Sequence, residues 1–245
     1  MADLIVILAS VTVVSLLALI GILFVSLKEA ILGRILTAFV GFASGSLIGA
    51  AFLHLLPEAL DGASQSVLQL VVTGIVFFFV MEKFLYWRHC HDGKCPVHIF
   101  AYLNLIGDGI HNFIDGITIA ASFLISYSLG FATTLAVIFH EIPQELGDFG
   151  VLVYGGFGKK KALTYNFISA LTAFVGALIT YFLASYIQGL AQFLVPFAAG
   201  GFIYIAATDL MPELHKGTQA KESIIQLLAI LMGIGLMSTL KIFSP

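Results

Sequence analysis

The sequence predicts an all-α polytopic membrane protein, and three observations carry that reading. Of 245 residues, 60% are hydrophobic and only 10% charged, with a mean hydropathy of +1.05, whereas soluble domains carry roughly 25% charge. Apolar runs of spanning length, about 20 residues each, recur along the whole chain. Lys and Arg fall almost entirely in alternate connections between these runs. Aromatics at 13% and 24 glycines also suit transmembrane helices. The alternating ten-residue segments of a membrane β-barrel are absent. The net charge of -3 says little about partners, since most of the surface faces the lipid bilayer, but no basic stripe offers a nucleic-acid site and no nucleic-acid partner is expected.

Eight runs are read as spans, at residues 4–27, 33–56, 67–87, 99–125, 130–154, 162–187, 192–214 and 223–243. The first lacks a basic leader and a cleavage pattern and carries Asp3, so it reads as a retained helix and not a signal peptide. Short connections make neighbouring spans antiparallel, within one transmembrane domain over residues 1–245. Lys28 and Arg34 lie between spans one and two, and Lys83, Arg88 and Lys94 between three and four. Lys159, Lys160 and Lys161 lie between five and six, and Lys216 and Lys221 between seven and eight; Lys241 alone is on the other side. The positive-inside rule then puts both termini outside and those four loops in the cytoplasm. The location is the cytoplasmic membrane. Gly41, Gly45 and Gly49 form a small-xxx-small ladder on span two and predict close helix packing.

Spans four and five are interrupted by polar strings, His111-Asn112-Phe113-Ile114-Asp115-Gly116 and His140-Glu141-Ile142-Pro143-Gln144-Glu145-Leu146-Gly147-Asp148. Ionisable groups at bilayer depth cost about 2.5–3.5 kcal/mol each on insertion scales. At about 1.5 Å per residue, both His111 and His140 fall near mid-membrane. Helical spacing puts His111, Asp115 and Asp108 on one face, and His140 with Gln144, then Glu141 with Glu145 and Asp148, on adjoining faces. Imidazole, carboxylate and amide oxygen are ligands for divalent metals. No Lys or Arg in either span balances Asp115, Glu141 and Glu145. A bound cation or protons must do so. Pro143 leaves the Phe139 carbonyl without its helical partner and predicts a kink that opens a passage.

At these residues the chain resembles the ZIP family of divalent metal transporters. The first string is similar to the family's fourth-helix motif, and the second to the fifth-helix motif of its HExPHExGD-bearing branch. The eight spans, outward termini and basic loop after span three agree, so the resemblance covers the whole chain. It implies a transport site between helices four and five, often with two metals. It also implies helices one to three and six to eight as inverted repeats around helices four and five, commonly in a homodimer. By motif position, His111, Asp115, His140 and Gln144 form one metal site, and Asn112, Glu141, Asp115 and Gln144 the second. Gln144 stands where that branch usually has His, and Asp115 where many members have Glu. The absence of an ectodomain and a long His-rich loop implies a compact prokaryotic member.

Other polar groups line up as pathway residues: His54 near the outer end of span two, Asn166 on span six, and Asp209, Glu213 and His215 at the inner end of span seven. Asp108, Glu145 and Asp148 support the strings themselves. The loop over 88–98 holds His89, Cys90, His91, Cys95 and His98, a candidate cytoplasmic metal site whose spacing lacks the C-x2-C pairing of structural zinc sites.

These residues predict a secondary transporter that moves a divalent transition metal into the cytoplasm. Nitrogen and oxygen donors without intramembrane Cys suit Zn²⁺ first, and also Cd²⁺, Mn²⁺, Fe²⁺ or Co²⁺; no organic cofactor is expected. Two rivals are an intramembrane zinc metalloprotease, since residues 140–144 stand one substitution from H-E-x-x-H, and a passive metal channel. The protease mechanism needs a second His where the chain has Gln144.

Overall fold

Helices form every element of the computed structural model, which describes residues 2–21, 29–61, 66–87, 97–216 and 220–242. In order they are α1 (Ala2–Leu16, ending in a 3-10 turn over Leu17–Leu19), α2 (Glu29–Ala50), α3 (Leu56–Asp61), α4 (Ser66–Trp87), α5 (Val97–Ile125) and α6 (Tyr127–Tyr154). Then follow α7 (Lys159–Ala170), α8 (Thr172–Leu183), α9 (Leu190–Ile205), α10 (Met211–His215) and α11 (Ala220–Ile242). Among the described residues, six helical stretches are long and apolar enough to cross a membrane: Ala2–Leu19, Leu36–Asp61, Ser66–Lys83, Lys159–Leu183, Leu190–His215 and Ala220–Ile242. Helices α5 and α6, with 29 and 28 residues, have the length but carry the polar strings in their middles.

A single residue, Ser126, joins α5 to α6 and forces them antiparallel. Its extended backbone breaks the helix, and its hydroxyl accepts the Leu129 N–H at 3.2 Å as an N-cap. Tyr127 donates to Asp3 at 2.6 Å, so the start of α1 lies at the same end of the molecule as this hairpin. Helix α6 continues through Pro143 without a break in its helical run.

Close backbone approach sets the frame around the hairpin. Helix α2 packs on α11, α4 on α9, and α5 on α8. A Cβ at Gly45 would overlap the Ile230 carbonyl, and one at Gly233 the Phe42 carbonyl, so the glycine ladder of α2 is a packing device. Gly116 and Gly176 bring α5 and α8 together in the same way. Ser169 and Thr172 then donate to the Leu105 and Gly109 carbonyls of α5 at 2.9 and 2.6 Å.

Two π-helical turns, Ala51–Leu55 and Ala206–Leu210, interrupt α2/α3 and α9/α10. Each precedes an x-Pro-Glu sequence, Leu56-Pro57-Glu58 and Met211-Pro212-Glu213. A proline donates no N–H and crowds the preceding turn, and the wider turn relieves that crowding: Leu56 N–H reaches back to the Ala51 carbonyl, and Met211 N–H to the Ala206 carbonyl. The segments 42–58 and 197–213 match in register, sharing Phe42/Phe197, Gly45/Gly200, Ala51/Ala206, Leu55/Leu210 and Pro57/Pro212. His54 and Asp209 occupy equivalent places in the two π turns.

Candidate metal centre

The antiparallel hairpin turns the two polar strings into a ladder along the α5–α6 seam. On the rung nearest the Ser126 turn, His111 and Asp115 of α5 meet His140 and Glu141 of α6. Asp108 meets Gln144 one turn further away, and Asn104 meets Asp148 on the next. Successive turns of one helix meet successive turns of the other in reverse order, as antiparallel packing requires.

The first rung is nearly closed to solvent: Asp115, His140 and Glu141 are buried and His111 is mostly buried. Nε2 of His111 and Nε2 of His140 are 3.2 Å apart. Asp115 Oδ2 lies 3.2 Å from His140 Nε2 and 3.7 Å from His111 Nε2, while Glu141 Oε1 lies 3.6 and 3.5 Å from the same atoms. A tetrahedral Zn²⁺ with bonds of about 2.0–2.2 Å has ligand–ligand edges of about 3.3–3.5 Å. Five of the six separations among the four donors, two nitrogens and two carboxylate oxygens, run from 3.2 to 3.7 Å, and all four lie within 4.8 Å of one another, a spacing a four-coordinate ion fits.

Their polarity points the same way. His140 Nδ1 is 3.1 Å from the Ala136 carbonyl, a contact that requires an N–H there and, in the neutral ring, makes Nε2 the lone-pair nitrogen. That lone pair faces the Asp115 carboxylate, and Asp115 Oδ2 and both oxygens of Glu141 have no hydrogen-bond partner. Among the described residues, no Lys or Arg pairs with either carboxylate. Converging acceptors in a dry site are stabilised by a cation.

The remaining predicted residues divide by place. Asn112 is buried and donates to Asp108 Oδ1 at 2.8 Å, outside the four-donor group. Gln144 turns its amide to the Asp108 carboxyl. Glu145 is fully buried; one oxygen accepts from Asn166 and the other has no partner. His54 is buried on the Met237 carbonyl at 2.8 Å, away from the centre. Asp209, Glu213 and His215 are exposed, with Thr208 on Asp209 and Lys216 on Glu213. His98 opens α5, whereas His89, Cys90, His91 and Cys95 lie outside the described residues.

A cavity of about 710 Å³ opens onto part of this set. His111, His140, Asp108 and Asp148 line it, and so do Asp209 and Glu213. Asn104, Glu82 and Tyr204 add polar groups to this lining that the motifs do not contain. Asn104 donates to Asp148 at 2.8 Å, and Glu82 accepts from Tyr204. Asn104 on α5 and Glu82 beside Lys83 on α4 each stand as single polar residues with no motif of their own.

Fold and site together define a multi-pass helical membrane protein with a buried constellation of metal-ligand type. The profile of the family described as ZIP Zinc transporter matches residues 3–94 and 88–241. The chain is 36% identical over 224 residues to Zinc transporter ZIP13 of Pongo abelii, covering 85% of this chain and 67% of that protein. It is 30% identical to the Zinc transporter ZIP13 homolog of Drosophila melanogaster, covering 87% and 79%, and 30% identical to Zinc transporter SLC39A7 of Rattus norvegicus, covering 83% and 64%. The chain belongs to the ZIP zinc transporter family, whose members move metal across membranes and are not enzymes.

Proposed function

We propose that this chain is a secondary transporter that carries a divalent transition metal, Zn²⁺ before Cd²⁺, Mn²⁺, Fe²⁺ or Co²⁺, across the cytoplasmic membrane into the cytoplasm. The observation that carries the reading is the convergence of His111 Nε2, His140 Nε2, Asp115 Oδ2 and Glu141 Oε1 within 4.8 Å, which no Lys or Arg among the described residues neutralises. Asn112 and Gln144 complete the set, holding or bridging toward a second metal. The cavity past Asp209 and Glu213 is the cytoplasmic exit, since Lys216 and the other basic loops lie on that side.

In this reading the single domain has eight spans, α5 and α6 among them, with both termini outside. The matched segments 42–58 and 197–213 support helices one to three and six to eight as inverted repeats around the α5–α6 hairpin. The protein acts as a homodimer, and the loop over 88–98 receives metal on the cytoplasmic side. His54 and Asn166 act from the wall of the pathway, and Glu145 and Asp148 from behind the ligands.

The deciding measurement is zinc uptake by purified protein in liposomes, with competing metals, for wild type and His111→Ala. Uptake that saturates and is lost in the variant is expected. Unchanged uptake overturns the site, and uptake that never saturates favours a channel.

A further inference from the structure

Helix α5 and the α7–α8 stretch run in the same direction, since Leu105 meets Ser169, Gly109 meets Thr172 and Gly116 meets Ala173. Between them lies a groove of about 600 Å³ that none of the four metal donors lines. Gly109, Ser169 and Thr172 keep it open, because they have little side chain to fill it, and both hydroxyls are spent on α5 carbonyls. Its flanks are apolar and open to the outside: Ile106, Ile168 and Val175 are 54%, 55% and 50% exposed. From Tyr165 to Val175 the helical rise is about 15 Å at about 1.5 Å per residue, which is half of a hydrocarbon core of about 30 Å.

One end of the groove is marked by aromatic rings and charge. Tyr102 and Tyr165 line it there, and Phe157 joins them, its ring centroid 5.2 Å from Tyr102 and 5.6 Å from Tyr165. Lys161 Nζ stands 4.9 Å from the Phe157 centroid and 5.3 Å from that of Tyr165. Lys159, Lys160 and Lys161 are all exposed and open α7. That first turn has no acidic residue, and among the described residues no carboxylate pairs with any of the three. Three cations at the positive end of a helix dipole repel that end, and an anion beside them relieves it.

We propose that this groove binds an anionic phospholipid, with one acyl chain between α5 and α8 and the phosphate at the Lys159–Lys161 triplet. The apolar length matches one leaflet, the tyrosines stand at the level of the headgroups, and the lysines supply the charge that anionic lipids recognise. A second copy of this chain is a poorer occupant. Two copies in one membrane carry their triplets at the same depth, so a two-fold contact across the groove presses like charges together. Because α5 carries His111 and Asp115, a lipid in the groove braces the helix that holds half of the metal centre. The inference needs the chain to span a membrane, and is independent of the direction in which metal moves.

The test titrates the delipidated full chain in detergent with phosphatidylglycerol or with phosphatidylcholine of the same acyl chains, read by native mass spectrometry. One phosphatidylglycerol per chain is expected to bind at least about tenfold tighter than phosphatidylcholine. Lys160→Gln/Lys161→Gln, with Lys159 retained, is expected to erase that preference. Val175→Trp, which fills the far end of the groove, is expected to weaken both lipids about tenfold. Equal affinity of the two lipids for the wild-type chain overturns the proposal. Phosphatidylglycerol binding that Val175→Trp leaves unchanged overturns the groove as its seat, and a dimer lost in that variant with lipid binding intact assigns the groove to a second copy instead. Circular dichroism checks the helical fold of each variant, and since the two act at opposite ends of the groove, either alone decides.

Discussion

His111 and His140 face each other nitrogen to nitrogen at 3.2 Å, and the Ala136 carbonyl holds the far nitrogen of His140. With Nδ1–H committed to that carbonyl, Nε2 is the nitrogen of His140 directed at Asp115 and Glu141. The carbonyl does for His140 what outer hydrogen bonds do for metal-bound imidazoles generally: it sets the tautomer and the ring orientation.

Replacing either ring therefore removes one of the four donors and leaves two carboxylates facing one another. His111→Ala or His140→Ala is expected to lower zinc affinity more than the roughly 10–100-fold typical of losing an outer-shell partner. Isothermal titration of the purified variants with Zn²⁺ reads this directly. Wild-type affinity in both would remove the pair from the site.

Gln144→His restores the H-E-x-x-H spacing and sets an imidazole beside Asp108. The expected result is tighter metal binding with slower maximal uptake, because a nitrogen donor now sits on the way from the first rung to the second. No cleavage of a membrane substrate is expected from this variant; cleavage would revive the protease reading.

Glu145 has no exposed surface, and Asn166 is its side-chain donor. Asn166→Leu leaves a buried carboxyl without that bond, at a cost of about 1–3 kcal/mol. Thermal unfolding in detergent is expected to show a lower Tm, and Glu145→Gln in the same background is expected to recover part of it. A Tm unchanged by Asn166→Leu would mean that Glu145 has another partner.

Glycine positions separate packing from tolerance. Gly116→Ala drives a methyl into the Ala173 carbonyl where α5 meets α8, and folded yield is expected to fall sharply. Gly235→Ala meets nothing within 4 Å and should be neutral or stabilising by about 0.5–1 kcal/mol. Size-exclusion chromatography and thermal melts of the two variants test the contrast.

Much of this was legible in the chain before any coordinates. The paired strings at 111–116 and 140–148 announce ligands on two helical faces, and their intervals of three and four residues place them on shared stripes. The glycine ladder announced close packing. Asn104 and Glu82 were passed over because a lone amide or carboxylate has no pattern to distinguish it from an ordinary polar residue at a helix end. The π turns at Ala51–Leu55 and Ala206–Leu210 were hidden because their signal, a proline one residue beyond, reads equally as a helix start.

By itself the sequence determined the solvent, the helical class and the donor chemistry, since these follow from composition and local periodicity. Which donors meet was decided only by tertiary structure. The Ser126 hairpin sets the register of α5 against α6, and that register, not motif order, brings Glu141 to His111, His140 and Asp115 while turning Gln144 toward Asp108. Side-chain convergence within an ångström depends on how two rigid helices are pressed together by their neighbours. Ala173 backed onto Gly116 and the hydroxyls of Ser169 and Thr172 do the pressing on α5, and these three residues act from α7 and α8, outside either motif.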